Sequence, residues 1–335
     1  MVRNNKEITY SIVIPLLDAE MDVKDLFISL KKQINVNKKN VEIIIVNDGS
    51  TDNTTTELKK HRKLLSDYDS LSIVKHIERQ GHTITRIDGA KVAKGKYLIF
   101  IDKKGRPDND YLQSLISKNR NIIIGNPYVN KTRSAWGRVL SLIRIKLYYP
   151  YFNHTFDDIT LNSDQYAKFK NKGGGGSMFV LRKYYLEVAK TMPTGVHVSD
   201  DNLFVLKLAK IEPVLKTSSA KIEYLNRTGF KENIIHLYNR GPKFVSFYTN
   251  PGSRFFLLIM GVVAFVILNL VITFFNPILF VYEFCLLATI LLIATLYISE
   301  DPMDFSLSLV ILPIAIASFS IGIIRGLLLM LFRKY

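Results

Sequence analysis

Residues 41–54 read VEIIIVNDGSTDNT, a β-branched run that stops at Asn47 and turns through Asp48-Gly49 into a Ser/Thr/Asp cluster. Unbroken rather than alternating hydrophobicity marks a strand buried on both faces, as strands of a parallel sheet are. Gly49 suits a tight turn. Ser50, Thr51 and Asp52 are helix-capping types and predict a helix N-cap at Ser50 or Thr51, with the helix over Thr51–Leu65. Capping accounts for that cluster. It does not account for Asp48, which precedes the cap at the carboxyl end of the strand.

The same pattern extends to both sides. Tyr10–Pro15, Leu71–His76, Tyr97–Asp102 and Asn121–Gly125 are further β-rich apolar runs. Helical stretches lie between them at Val23–Ile34, Thr85–Lys94 and Asp110–Ser117. Strand alternating with helix at this spacing predicts an α/β fold, a mostly parallel sheet with helices on both faces. Such sheets bind ligands beyond the carboxyl ends of their strands. Here those ends carry acids: Asp18 and Glu20 after the first, Asp48 and Asp52 after the second, Asp102 after the fourth.

These blocks resemble the family-2 glycosyltransferases, whose nucleotide-sugar-binding domain has the Rossmann-like GT-A fold. The resemblance rests on Val13-Ile14-Pro15 with Asp18, on Ile45–Thr54, and on Arg86, Gly89, Ala93 and Gly95 ahead of Lys96–Asp102. Gly173–Gly176 before Met178-Phe179-Val180 resembles the family's glycine-rich segment, and Ser199-Asp200-Asp201-Asn202-Leu203 its acidic catalytic motif. The match covers roughly residues 10–210.

The resemblance implies roles for particular residues. Asp48 would accept a hydrogen bond from the nucleobase and the backbone around Pro15 would help hold it, with Asp18 in the same donor-binding set. Asp102 would face the ribose and diphosphate, or a metal bound to them, and Arg86 would reach the same pocket. Asp201 would be the general base, with single displacement and inversion at the sugar carbon. An alcohol is a poor nucleophile, so a carboxylate within hydrogen-bond reach must take its proton. The leaving nucleotide gathers negative charge that needs a cation nearby. Asp200 and Asp201 also read as caps of a helix starting at Asn202, and Gly173–Gly176 also reads as a linker.

One departure stands out. The family carries a second carboxylate two residues after the first, but here the order is Asp102-Lys103-Lys104. A divalent metal, Mg or Mn, at Asp102 is therefore in question. Three readings remain: Lys104 neutralises the donor diphosphate in place of a metal, Lys104 is a surface lysine beside a working Asp102, or Asp108-Asn109-Asp110 supplies the acid-x-acid spacing. Pro107 with two acids before Tyr111-Leu112 also reads as a helix start.

Charge and hydropathy divide the chain. Of 45 Lys and Arg and 29 Asp and Glu, residues 255–335 hold three and four, leaving a net +17 in residues 1–254. A basic front and an apolar back exclude a simple soluble enzyme. About 20 apolar residues cross a hydrocarbon core. Residues 255–275, 278–298 and 305–332 are therefore expected to span it, with Glu283 and Arg325 facing each other, a pathway, or an interface. The single Cys285 excludes an intrachain disulfide and a cysteine metal cluster. No signal peptide is read at the N-terminus, and the catalytic domain is expected in the cytoplasm of a multi-pass protein of the cell membrane.

The expected domains are a GT-A domain over 1–230, an amphipathic interface segment over 231–254, and a transmembrane region over 255–335. Trp136–Tyr151 also mixes cations with a broad apolar face, as interfacial helices do. Residues 231–254 faintly resemble the interface helix of membrane-bound polysaccharide synthases, and Arg240 there is expected to reach the donor diphosphate. The leading expectation is an inverting transferase moving a sugar from a nucleotide-sugar donor, with a lean to uridine, to a membrane-presented acceptor. That acceptor would be a lipid-linked saccharide or a cell-envelope polysaccharide. The alternatives are a polyprenyl-phosphate glycosyl synthase, whose ionised acceptor needs no general base, and an inactive sugar-nucleotide-binding membrane protein. Nucleic acid is not expected as a partner, since no zinc spacing, RNA-binding aromatic signature or recognition helix accompanies the charge. Membrane lipid and a diphosphate donor account for it.

Overall fold

The computed structural model describes residues 8–130, 134–169, 176–193, 201–248, 256–276 and 278–331. Strands and helices alternate first as β1 (Tyr10–Leu16), α1 (Val23–Lys31), β2 (Val41–Asp48), α2 (Thr54–His61), β3 (Ser70–His76), α3 (His82–Val92) and β4 (Tyr97–Ile101). Then come β5 (Gly105–Pro107), α4 (Tyr111–Ile116), β6 (Ile122–Tyr128), α5 (Ala135–Leu147), β7 (Ile159–Leu161), α6 (Ser163–Lys168), β8 (Ser177–Leu181), α7 (Arg182–Ala189), α8 (Asp201–Ile211) and β9 (Val214–Tyr224). Four helices follow: α9 (Phe230–Tyr248), α10 (Phe256–Phe275), α11 (Ile278–Ile298) and α12 (Pro302–Leu331). The chain divides into two compact units, one carrying every strand and the other made of α5 and α9 to α12.

In the first unit the sheet order is β3-β2-β1-β4-β8-β6-β9-β5, with β7 on β9. The α/β class stands, and β3, β2, β1 and β4 form the parallel run that unbroken apolar strands imply. Beyond β4 the sheet is mixed: β8 runs antiparallel to β4 and β6, and β6 pairs parallel with β9. The period-2 geometry of a strand explains why both faces are apolar. Ile12, Ile14, Ile43 and Ile45 pack under α1, α2 and α4, whereas Val13, Ile44 and Val46 pack under α3. Glu42 of β2 is buried because Ser11 and the backbone N–H groups of Lys94 and Gly95 donate to its carboxylate.

In the second unit α5 buries Trp136, Val139 and Leu142 with Ile298, Ile311 and Ala315. Arg138 of α5 pairs with Asp301 and Asp304 at the start of α12. The last helix begins at Pro302 rather than Phe305 and runs through Pro313 and Arg325 without a break. α11 and α12 are both long and apolar enough to cross a membrane. Glu283 does not meet Arg325: it accepts hydrogen bonds from Asn269 and Thr273 of α10, both at 2.8 Å. Arg325 instead donates to Asn239 and lies over the Tyr238 ring of α9.

Candidate functional site

The carboxyl ends of β1 and β2 are clasped together by the cluster first read as a helix cap. The helix begins at Thr54, later than expected: Asp52 Oδ1 accepts from the Thr54 N–H at 3.0 Å, as a cap does, while Ser50 and Thr51 are engaged on Asp18. Asp18 Oδ1 accepts from the Thr51 backbone N–H at 2.9 Å, and the Asp18 N–H donates to Ser50 Oγ at 3.0 Å. The Glu20 N–H donates to Asp52 at 3.0 Å and the Ala19 N–H to Thr54 Oγ1 at 2.7 Å. Asp18 itself holds a left-handed φ of 47°, a conformation Asp tolerates in tight turns. Pro15 is buried one turn earlier, in register with Val46.

Asp48 closes β2 and shapes the loop that leads to α3. Its carboxylate accepts from His76 Nδ1 at 2.8 Å, the Gln80 N–H at 2.8 Å and the Gly81 N–H at 3.0 Å. Burial raises the Asp48 carboxyl, but the bonds from His76, Gln80, Gly81 and Thr85 outweigh it and hold the pKa below the usual carboxylate value. Gly49 is needed beside it. Its φ is 70°, and a Cβ there would stand 2.7 Å from the Arg79 nitrogen.

Asp102 follows β4, the last strand of the parallel run, in the middle of the whole sheet. Arg86 Nη2 lies 2.9 Å from Asp102 Oδ1, and His82 Nε2 lies 3.3 Å from the same oxygen. Burial again raises the carboxyl. The charge of Arg86 and the hydrogen bond and charge of His82 outweigh it, so the group is held well below its ordinary range. Gly176 lies against the other oxygen: a Cβ there would come 2.6 Å from Asp102 Oδ2. Next along the chain, Lys103 Nζ reaches back to the carbonyls of Leu17 and Asp18. Lys104 Nζ turns to Asp22, 3.2 Å away.

The donor set here does not fit a divalent cation. Asp102 Oδ1 is shared by a guanidinium and an imidazole, and two lysines follow it where a second carboxylate would stand. Among the described residues no group of three or more His, Cys, Asp or Glu is placed to hold a metal. Asp108, the first acid of the alternative spacing, accepts from Tyr128 Oη at 2.8 Å, and Asp110 precedes α4 as the helix-start reading has it.

The fold thus brings Asp18, Asp48, Arg86 and Asp102 to one end of the parallel strands, with Pro15 beneath. It directs Lys104 to Asp22, and it places Arg240 on α9 of the second unit. Asp201 is the first residue of α8. Gly173–Gly175 and Asp200 lie outside the described residues. A groove of 590 Å³ bordered by Asp25, Lys32, Arg106 and Glu223 takes in Asp108, Asn109 and Asp110 of the alternative spacing but none of Asp18, Asp48, Arg86 and Asp102. Sequence reading missed His82 and Lys103. The first has no local signal beyond its place one turn before Arg86, and the second differs from Lys104 only in which way a loop residue points.

An end-of-sheet site built of carboxylates and cations after β1, β2 and β4 is the layout of a nucleotide-sugar-binding GT-A domain. The model of glycosyl transferase family 2 matches residues 11–188, more than half of the chain, and the chain belongs to that family. It is similar to the uncharacterized glycosyltransferase YkcC of Bacillus subtilis (strain 168), 29% identical over 114 residues, 34% of each chain. It is also similar to the poly(ribitol-phosphate) beta-glucosyltransferase of Bacillus spizizenii, 32% identical over 105 residues, 31% of this chain and 15% of that one. The matches therefore span about a third or less of these relatives. Among solved structures, S. aureus TarS 1-349 in complex with UDP-GlcNAc shares the fold. Its TM-score is 0.52 at 14% identity, over 73% of this chain and 68% of that one.

Proposed function

We propose that this chain transfers a sugar from a nucleoside-diphosphate donor, with uridine as its base, to a hydroxyl of an acceptor held at the membrane. The observation that carries the reading is Asp102 after β4, held by Arg86 and His82 against Gly176 at the end of the parallel strands. Family membership supports the reaction class. The UDP-GlcNAc bound to the similar TarS fold supports a UDP-linked donor, and the poly(ribitol-phosphate) substrate named for one relative supports a cell-envelope polymer as acceptor.

In this reading Arg86 and Lys103 supply the positive charge that the departing diphosphate requires, His82 adds a hydrogen bond beside them, and no metal takes part. Arg86 has its charge fixed by Asp102, so it is preorganised and needs little rearrangement as charge develops. Asp48 holds the loop 76–81 in shape at the base-binding end. Asp201, starting α8, takes the proton from the acceptor hydroxyl, so that the sugar carbon inverts in a single displacement. The GT-A domain sits on the cytoplasmic side, and the C-terminal helices anchor it to the cell membrane.

The test is calorimetric titration of the detergent-purified full chain with UDP and UDP-sugars, in EDTA and then in manganese, followed by transfer of labelled sugar to an envelope fraction. Binding in EDTA that is lost in Arg86→Met supports the reading. UDP affinity that appears only with manganese sinks the metal-free part of it, and no affinity for any nucleotide sinks the whole.

A further inference from the structure

We propose that α10 and α11 alone cross the bilayer, and that α12 lies along one membrane face with α5 and α9. The surface these three helices form then rests on the anionic phospholipid leaflet of that side, and the end of α12 stays on the side of α9. This rests on the second unit only, independently of the catalytic reading.

α10 and α11 have 20 and 21 residues. At 1.5 Å per residue each reaches about 30 Å, the thickness of the hydrocarbon core. They form a hairpin joined through Glu283, Asn269 and Thr273. Within this chain almost all of the apolar face of α11 is left uncovered, as a lipid-facing span requires. The Asn276-Pro277 link between them carries no charge.

Length and composition would let α12 cross as well, but its packing argues otherwise. The inward stripe of α12 buries the aliphatic Ile311 and Leu312 midway, and on either side of them it is small or polar: Asp304, Ser308, Ala315, Ser318, Gly322 and Gly326. Small residues spaced four apart let another backbone come close. α9 is that backbone. A Cβ on Gly241 would stand 2.0 Å from the Gly322 carbonyl carbon, and one on Gly322 would stand 2.2 Å from the Tyr238 oxygen. One turn further along both helices, Gly326 meets Pro242 and Val245. The two helices therefore run parallel and share their level turn for turn.

That shared level decides the orientation. α9 carries Lys231, Glu232, His236, Asn239, Arg240 and Lys243. Were α12 upright in hydrocarbon, its partner would draw these groups through the bilayer, where charged side chains are costly. Lying flat, α12 gives its exposed Leu309, Val310, Ile316, Ile321, Ile324 and Leu328 to the acyl chains. α5 and α9 supply the polar face that α12 alone lacks, so the layer is amphipathic as a unit.

The layer is also basic. Arg227 approaches His236 within 3.5 Å and pairs with Glu232 at 3.4 Å. Burial first, then the charges of Arg227, Arg240, Arg144 and Lys243, keep His236 neutral with a pKa of about 3. Such a concentration of cations suits headgroup phosphates. The arrangement also puts Arg325 on the side of the α9 cations and the uncharged link on the other, as the positive-inside bias requires. Three crossings would separate them.

The test uses the full chain in bacterial membranes with Cys285→Ser as background and single cysteines introduced by Glu232→Cys, Asn276→Cys or Lys334→Cys. Each is treated with an impermeant maleimide in right-side-out and inverted vesicles. The expected result is labelling of Glu232→Cys and Lys334→Cys from one side and of Asn276→Cys from the other. Labelling of Lys334→Cys together with Asn276→Cys would mean three crossings and overturn the proposal. So would labelling of all three from one side, or a Lys334→Cys protected from both. A C-terminal epitope tag cut by protease in only one vesicle orientation gives a second readout that must agree.

Discussion

Arg86 Nη2 stands 2.9 Å from Asp102 Oδ1 and ties α3 to the end of β4 through a side chain that is 3% exposed. That pair sets the charge at the end of β4 and contributes to the stability of the fold there. Removing one partner of a buried pair leaves the other uncompensated, which typically costs about 3–5 kcal/mol. Asp102 is 25% exposed, so the lower end applies here. Arg86→Met is expected to lower the melting temperature and to abolish measurable UDP binding by calorimetry. Arg86→Lys should recover part of the stability, with less of the affinity, because an ammonium does not reproduce the planar fork.

The same pair has a pH signature. The folded pKa of Asp102 is depressed, so its contribution is present above the unfolded value of about 3.9 and is lost as pH falls through the folded one. The melting-temperature gap between wild type and Asp102→Asn should be widest near neutrality and should narrow below about pH 4. A gap unchanged down to pH 3 would mean that Asp102 is not the charged partner.

His82 is the residue through which metal-free donor binding can be read most simply. His82→Gln is expected to weaken UDP affinity by roughly tenfold, the size of one charge-assisted hydrogen bond, equally in EDTA and in magnesium. The fold should tolerate the change, since His82 is 41% exposed. An affinity that falls only when magnesium is present would assign His82 to a metal.

Gly176→Ala places a methyl group 2.6 Å from Asp102 Oδ2, so the carboxylate or the strand must move. Overpacking of this kind costs about 1–3 kcal/mol, and the displaced Asp102 should take Arg86 with it. The measurement is a paired melt and UDP titration, and the expectation is that affinity falls more than stability does.

Lys216 on β9 is fully buried, with Nζ donating to the Gly125 carbonyl at 2.6 Å. Burial lowers its pKa to about 7. Between about pH 7 and its unfolded value near 10.4 the unfolded chain binds the extra proton, so this group makes stability rise with pH. Lys216→Met should raise the melting temperature at pH 7, by about 2 kcal/mol in stability once the lost hydrogen bond is counted. The gain should shrink towards pH 10.

Much of this was legible locally. The apolar runs at Tyr10, Val41 and Tyr97 are strands because both faces of a parallel sheet are buried, with the half-exposed run at Ser70 on the edge, and the acids that end the buried three are where the candidate site lies. What the sequence hid is set by distant partners. β8 slots antiparallel between β4 and β6, which no local pattern of Ser177–Leu181 requires. Ser50 and Thr51 have capping chemistry but spend it on Asp18, and Asp52 divides its carboxylate between the Thr54 N–H and Glu20, about thirty residues earlier. Lys103 and Lys104 are identical in type, and only the turn after β4 sends one to the β1 loop and the other to Asp22. In the second unit the small stripe of α12 is visible in sequence, but that α9 fills it is a tertiary fact.

The central claim is sugar transfer by a site that uses Arg86, His82 and Lys103 in place of a metal. The most direct measurement is nucleotide release by the detergent-purified full chain over a panel of nucleotide sugars with native lipid extract. It would be run in EDTA and in manganese, with wild type beside Asp201→Asn. The account predicts release from a uridine-linked donor at the same rate in both conditions and its loss in the Asp201→Asn chain. Release that needs manganese, or that survives Asp201→Asn unchanged, would contradict it.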